Sequence, residues 1–456
     1  MSQKIKMSER QPNERNKDFK QVNLGYTPEQ AIEEAKRCLQ CKQAFCTKGC
    51  PVEINIPGFI KHIAENNFSQ AIKVLKEKNN LPAVCGRVCP QESQCEKFCI
   101  LAKKQESVGI GNLERFAADW STANVTNEKV EIKSNGKKVA IIGSGPAGLT
   151  CAGDLAKIGY DITVFESLHD SGGVLRYGIP EFRLPCDVLD SEVDTLKMLG
   201  IKFVFNCLIG RTKTIQDLFD DGFSAIFIGT GAGLPTFLNI EGENYNNIYS
   251  ANEFLVRINL MSAFKFPEFD TPIYKGKNVI VIGGGNTAMD SARTAKRIGA
   301  ESVKLVYRRT QEEMPARLEE RHHAVEEGIE FVELTNPVKF IADDNKFVKA
   351  VECVKMQLTE PDASGRRKPV VIKDSNFILE ADVVILALGL NPNPILPSLT
   401  KGLETDSHGY LIIDDKFMTK LNGVFAGGDI AGGSTVIEAM GMGKQAAKNI
   451  HIFLNK

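Results

Sequence analysis

The sequence predicts an α/β fold: a small all-α, cysteine-rich domain in front of two Rossmann-like dinucleotide-binding domains, the second inserted into the first. Three observations carry this. Residues 137–167 and 277–309 share one grammar of apolar strand, glycine turn, small-residue helix ending in glycine, and second apolar strand. That is the opening βαβ unit of a dinucleotide-binding domain, seen twice. Two further apolar strands, 224–232 and 381–389, flank the second unit and read as the crossings between domains. Eight of the twelve cysteines lie between Cys38 and Cys99, in a segment whose apolar residues recur at helical spacing. The expected boundaries are 1–125 for the helical domain, 137–255 with 382–456 for the first dinucleotide domain, and 256–381 for the inserted one.

A chain of 456 residues, 43% hydrophobic and 25% charged, has enough apolar material for several cores. The formal net charge is −1 and no Lys/Arg run stands out, which argues against nucleic acid or an anionic membrane as partner. No stretch approaches the roughly eighteen apolar residues of a membrane helix. The polar N-terminus has no apolar signal core, so a cytoplasmic protein is expected.

In chain order, residues 1–26 read as a flexible or loosely draped arm. Thr27-Pro28-Glu29-Gln30 then reads as a helix start, with Thr as cap, Pro at the first helical position and Gln three residues on. This helix is expected to deliver Cys38 and Cys41 near its end. Ile60, Ile63, Ala64 and Phe68, then Ala71, Val74 and Leu75, suggest further short helices. Residues 121–136 are polar and read as a linker.

At Gly143-Ser144-Gly145-Pro146-Ala147-Gly148 the full G-x-G-x-x-G pattern follows a strand and opens a helix. Gly143 permits the turn, Gly145 lets backbone approach a pyrophosphate, and Gly148 allows helix–strand packing, while the helix N-terminus offers amides to the phosphates. Glu166 ends the second strand, where an acid accepts from ribose hydroxyls; Gly173, shortly after, is counted with the cofactor-binding residues. The second loop, Gly283-Gly284-Gly285-Asn286-Thr287-Ala288, ends in Ala, and its second strand ends in Tyr307-Arg308-Arg309 instead of an acid. Two guanidiniums there suit a 2′-phosphate, so NADPH is expected at Gly283, Gly285, Asn286, Thr287, Ala288, Arg308 and Arg309. GVFAGGD (423–429) adds a strand ending in Gly428-Asp429. The Asp can accept from a ribityl hydroxyl, and the helix starting near Ser434 can aim its dipole at an isoalloxazine. Together these elements resemble the flavoproteins with two dinucleotide-binding domains, which implies FAD in the first and NADPH in the second.

Some of those flavoproteins reduce disulfides with a close cysteine pair. Here the flavoprotein part holds only Cys151, Cys186, Cys207 and Cys353, none near another, so electrons are expected to leave by another route. These four read as small buried apolar residues. The clustered thiols leave two options, four-cysteine zinc sites or [4Fe–4S] clusters. Zinc sites usually come as paired C-x2-C knuckles, and only Cys38/Cys41 has that spacing. The run C-x2-C-x4-C-x3-C-P lies closer to the ferredoxin pattern, and a flavin has a use for one-electron carriers.

IPGFI (56–60), LPAVCGRVCPQESQCE (81–96), IGNLERF (110–116), GGGNTAMD, YRRTQEEMPAR and EPDASGRRKPV together resemble the small (β) subunit family of NADPH-dependent glutamate synthase. They are similar also to the large subunit of NADH-dependent ferredoxin:NADP+ oxidoreductase and to the N-terminal part of dihydropyrimidine dehydrogenase. The resemblance spans about residues 24–453. It implies two [4Fe–4S] clusters, one on Cys38, Cys41, Cys46 and Cys99, the other on Cys50, Cys89, Cys95 and the carboxylate of Glu114, with Cys85 not a ligand. It implies an electron path from NADPH through FAD and the clusters to a partner, either a large FMN-containing subunit or a ferredoxin. No classical catalytic residue is required. A ferredoxin reductase, or a subunit of a bifurcating transhydrogenase or sulfide dehydrogenase, shares these motifs; a zinc-braced dinucleotide-binding interaction protein is the non-enzymatic alternative. His322 and His323 are expected on a solvated helix without a role.

Overall fold

In the computed structural model, the described residues are 3–125, 132–361 and 367–455. The middle of the expected linker (126–131) and residues 362–366 of EPDASGRRKPV lie outside them. Alternate residues of Lys138–Ile142 point to opposite faces of a five-stranded parallel sheet. Its spatial order is 424–426, 223–228, 138–142, 161–165, 202–204. Val139 and Ile141 enter one core, Ala140 and Ile142 the other. Because both faces are covered, the strand reads as a continuous apolar run. Asn278–Ile282 does the same in a second parallel sheet, ordered 248–250, 383–386, 278–282, 302–306, 330–332. A four-stranded antiparallel sheet (335–342, 348–361, 367–371, 377–380), absent from the expected scheme, adjoins it.

The crossings fall at different places from those expected. Ile248–Ser250 and Val383–Leu386 hydrogen-bond within the second sheet, although the boundaries 255/256 and 381/382 put them in the first domain. The chain crosses on an antiparallel pair, Ala232–Pro235 with Leu390–Pro392. A strand buried on both faces carries no mark of which sheet it joins, so the apolar run 381–389 could not locate the crossing.

The N-terminal helices pack Phe59, Ile60, Ile63, Leu75, Val84 and Leu113 into a core that continues without a break into Val139, Leu149 and Met440 of the first sheet unit. Thr27 caps as expected: its Oγ1 accepts from the Gln30 amide (3.3 Å) and Gln30 Oε1 accepts from the Thr27 amide (2.9 Å). That helix stops at Lys36, before either cysteine, and Gln40 takes φ +49°. Loop geometry, not a helix end, presents Cys38 and Cys41. The helix Ile110–Asn124 runs into the expected linker.

The arm is not loose. Arg15 is 1% exposed and binds Glu326 (2.6 Å) and Glu327 (3.0 Å). Phe19 stacks on Phe264 at 4.1 Å, the Val22 amide donates to the Phe182 carbonyl, and the Ile5 amide donates to Glu34. The arm thereby straps the helical domain to both sheet units. His323, expected on a solvated face, is buried, 3.1 Å from Glu9 of the arm; His322 is exposed.

Glu327 also accepts from Arg293 (2.9 Å) and Arg297 (2.6 Å), and the Arg293 and Arg297 guanidiniums lie 4.7 and 3.9 Å from the Phe182 ring centroid. Removing the one carboxylate leaves the buried Arg297 without its acidic partner and takes one partner each from Arg15 and Arg293. Glu327→Gln is expected to cost about 3–5 kcal/mol, whereas breaking the exposed Lys277–Glu301 pair with Lys277→Ala changes stability by less than about 0.5 kcal/mol. Urea unfolding of the two variants checks this. Burial raises both acids, but Arg183 and Arg293 bring Glu320 down to about 2, and Arg293 and Arg297 hold Glu327 below the ordinary carboxylate range. Their stabilisation is complete above the unfolded-state value near 4.5 and is lost as pH falls through the native values. Acid unfolding of wild type is thus expected below the ordinary carboxylate range, and Glu327→Gln moves its midpoint upward.

Candidate functional site

Ile142 ends its strand in the middle of the first sheet, and the chain turns at once into the helix Pro146–Lys157. Gly143 takes φ +97°, and a Cβ there would stand 2.5 Å from the Gly229 carbonyl; one on Gly148 would stand 2.0 Å from the Gly143 carbonyl. Those two glycines are required by turn and packing. Gly145 is not: its backbone is extended and its Cβ position meets nothing within 4 Å. This open position, next to the free first-turn amides of a helix beginning Pro146-Ala147, fits a pyrophosphate.

Glu166 is buried and accepts from the Ser144 amide (2.9 Å) and Oγ (2.6 Å) on one oxygen. Its other oxygen accepts from Ser167 Oγ (3.1 Å) and the Leu168 amide (2.9 Å). Two of these donors are hydroxyls free to rotate away, so a ribose hydroxyl can take their place. A Cβ on Gly173 would lie 2.9 Å from Gly145 Cα, and one on Gly428 would lie 2.9 Å from Ala147 Cβ. Burial, with Glu438 nearby, pushes the Asp429 carboxyl up to about 6. All these residues gather at the carboxyl ends of adjacent parallel strands, where open α/β sheets take ligands.

The second loop repeats the plan. A Cβ on Gly283 would meet the Ala387 carbonyl at 2.3 Å, while Gly285 is open and Gly284 lies against the Tyr307 ring. Ala288 is buried and Thr287 exposed; Asn286 Oδ1 accepts from the Arg317 amide at 2.9 Å. Arg308 is exposed and has no hydrogen-bond or ion-pair partner among the described residues. Arg309 donates through Nε to the Arg367 carbonyl (2.8 Å) and keeps its terminal nitrogens. A guanidinium without a carboxylate partner at this strand end fits a ribose phosphate.

The eight clustered cysteines separate into two sets. Cys38, Cys41, Cys46 and Cys99, drawn from both ends of the cysteine segment, line one cavity. Burial pushes the Cys38 thiol up, with Cys99 and Cys41 adding to it, and pushes Cys46 up to about 11, with Cys38, Cys99 and Cys41 adding to it. Cys50 and Cys89 are buried, and burial, with Glu114 and Cys85 close by, pushes Cys50 up to about 12. Cys95 is raised by burial and by Glu96, Cys50 and Glu114; Cys89 is raised first by its contact with Cys85. Glu114 is buried and raised to about 8, mainly by burial; Asn79 Nδ2 donates to its Oε1 at 2.7 Å, and its other oxygen has no partner among the described residues. Thiols and a carboxylate packed so closely cannot all ionise without a cation. Thiols, joined in the second set by a carboxylate, are donors of the kind that fit iron–sulfur groups. Cys85 touches Asn79 (3.8 Å) and Met440 (3.5 Å). Of the scattered cysteines, Cys151, Cys207 and Cys353 are buried and Cys186 is half-buried.

Sequence reasoning missed two residues that position the site. Asn79 holds Glu114. Arg317, at the end of YRRTQEEMPAR, donates to the Arg87 carbonyl (2.9 Å) and Gln91 Oε1 (3.0 Å), tying the second glycine loop to the segment between Cys89 and Cys95. Neither carries a local signal beyond lying within or beside a recognisable motif.

Residues 15–126 match the family model described as dihydropyrimidine dehydrogenase domain II, 4Fe-4S cluster, and residues 137–443 match pyridine nucleotide-disulphide oxidoreductase. The chain is 37% identical to the glutamate synthase (NADPH) small chain of Escherichia coli, over 95% of this chain and 93% of that one. It is 36% identical to the protein of the same name from Azospirillum brasilense, over 96% and 92%. Mycobacterium tuberculosis FprA in complex with NADPH shares the fold of 70% of this chain and 85% of its own, with TM-score 0.58 and 19% identity. No helix among the described residues is long and apolar enough to cross a membrane. The two glycine loops, the divided cysteines and this near full-length similarity agree: the chain belongs to the glutamate synthase (NADPH) small-chain family of oxidoreductases.

Proposed function

We propose that this chain oxidises NADPH and hands the electrons singly to a partner protein, as the small chain of a glutamate synthase working with a large FMN-containing subunit, or with a ferredoxin. FAD lies at Gly143–Gly148, Glu166, Gly173, Gly428 and Asp429, and NADPH at the second loop with Arg308 and Arg309. One [4Fe–4S] cluster is held by Cys38, Cys41, Cys46 and Cys99, the other by Cys50, Cys89, Cys95 and Glu114. The observation that carries the reading is the separation of the cysteines into two sets beside a glycine loop open at Gly145. When bound, flavin and clusters supply hydride acceptance and one-electron transfer. The chain's own residues bind and orient. The glycine loops admit phosphates, Arg308 selects the 2′-phosphate, Asn79 fixes Glu114, and buried helices keep water from the inner thiols. No side chain needs to move a proton, so catalysis rests on positioning.

Four measurements test this. The purified protein should show flavin absorption over a broad iron–sulfur shoulder and reduce a small quinone with NADPH; protein that stays colourless and inactive after reconstitution with flavin, iron and sulfide would sink the reading. Gly145→Val should fold, since the space is open, yet lose most of its flavin, as read from absorbance after gel filtration. Arg308→Ala should raise the KM for NADPH by about tenfold while leaving that for NADH nearly unchanged. For the clusters, Cys99→Ser should lower iron content by one cluster, Cys89→Ser by the other, and Cys85→Ser by neither.

A further inference from the structure

The outer cysteine set opens onto an unusual surface. Among the described residues of the helical domain, Leu39 (61% exposed), Phe45 (48%), Phe98 (49%) and Ile100 (44%) are among the most exposed large apolar side chains, and all four line the cavity of Cys38, Cys41, Cys46 and Cys99. The two segments that supply them, residues 38–49 and 97–104, hold five lysines and no acid. Lys42, Lys48, Lys97, Lys103 and Lys104 are all exposed, and none forms an ion pair among the described residues. In a chain of net charge −1, such an excess of unpaired positive charge around apolar groups is local. Apolar centre and charged rim are the make-up of a protein-docking surface.

We propose that this patch is the electron-exit surface and that it receives an acidic electron-accepting protein surface, with carboxylates meeting the lysine rim and apolar groups meeting Leu39, Phe45, Phe98 and Ile100. The proposal rests on the reading above, in which this cavity holds a cluster. The charge decides the partner's chemistry: five unpaired lysines repel a basic protein and speed encounter with an acidic one, increasingly so at low ionic strength. In the inner set Cys50 and Cys89 are buried and Cys95 is half-buried, and Cys85 beside them meets Met440 of the C-terminal helix, whereas all four outer cysteines are half-buried beside exposed apolar side chains, so the outer set is the one a partner can approach.

The test uses holoprotein with two probes of opposite charge, an acidic [2Fe–2S] ferredoxin and basic cytochrome c. Wild type should bind oxidised ferredoxin with an affinity that falls about tenfold or more between low and physiological salt. The triple variant Lys42→Glu/Lys103→Glu/Lys104→Glu should bind it at least about tenfold more weakly, and should reduce cytochrome c several-fold faster than wild type. In that assay each NADPH gives two electrons to two ferric haems and leaves NADP+ and a proton. Quinone reduction and the flavin and iron–sulfur spectrum should not change. Equal ferredoxin affinity in variant and wild type, or binding indifferent to salt, overturns the docking surface. Loss of NADPH:quinone turnover in wild type instead overturns the parent reading, and the binding measurement, which needs no turnover, keeps the two failures apart.

Discussion

Glu327 is the fixed point of this molecule. Its side chain is inaccessible to solvent, and it is met by Arg15 from the N-terminal arm and by Arg293 and Arg297 from the helix that follows the second glycine loop. The ionic cluster continues through Glu320, which pairs with Arg293 and Arg183, to the Arg183–Asp290 bond of 2.6 Å. Arg183 and Phe182 belong to the first sheet unit, so one buried set of charges joins three parts of the chain. Such a set contributes little net stability compared with an apolar interface, but it is costly to break in part, because each lost partner leaves a charge uncompensated. The relative placement of the two glycine loops follows from that constraint.

A second constraint holds the thiols to the first loop. The helix Val436–Leu454 packs closely along Pro146–Lys157: a Cβ on Gly443 would lie 2.3 Å from the Ala147 carbonyl, and one on Gly441 would lie 2.8 Å from the Pro51 carbonyl. Pro51 follows Cys50, and Met440 touches Cys85. One helix thus sits in contact with both the first glycine turn and the inner cysteine set, and the apolar core runs through it without a boundary. Interiors packed like crystals hold such contacts rigidly.

The two cysteine sets then differ in what surrounds them. In the inner one Cys50 and Cys89 are buried, Cys95 is half-buried and Asn79 holds Glu114; the outer one is half-buried throughout, beside four exposed apolar side chains. On the proposed function, this difference in burial would lead electrons from the glycine loop toward the protein surface.

The sequence by itself determined the two βαβ units, their glycine loops and the grouping of the cysteines, because each depends on residues adjacent in the chain: a turn that only glycine tolerates, a helix start with its cap, a strand buried on both faces. It determined which residue types stand ready for phosphates and metal. The tertiary structure decided what depends on long-range pairing. Val383–Leu386 joins the second sheet because its edges pair with 248–250 and 278–282, a choice invisible in an apolar run. Residues 3–26 are strapped down because Arg15, polar and unremarkable in sequence, finds Glu327 more than three hundred residues away. His323 is buried because Glu9 lies against it. And Cys99 comes to Cys38, Cys41 and Cys46 because the helices between them fold back on a shared core, whose contacts are set by shape and burial and leave no local pattern to read.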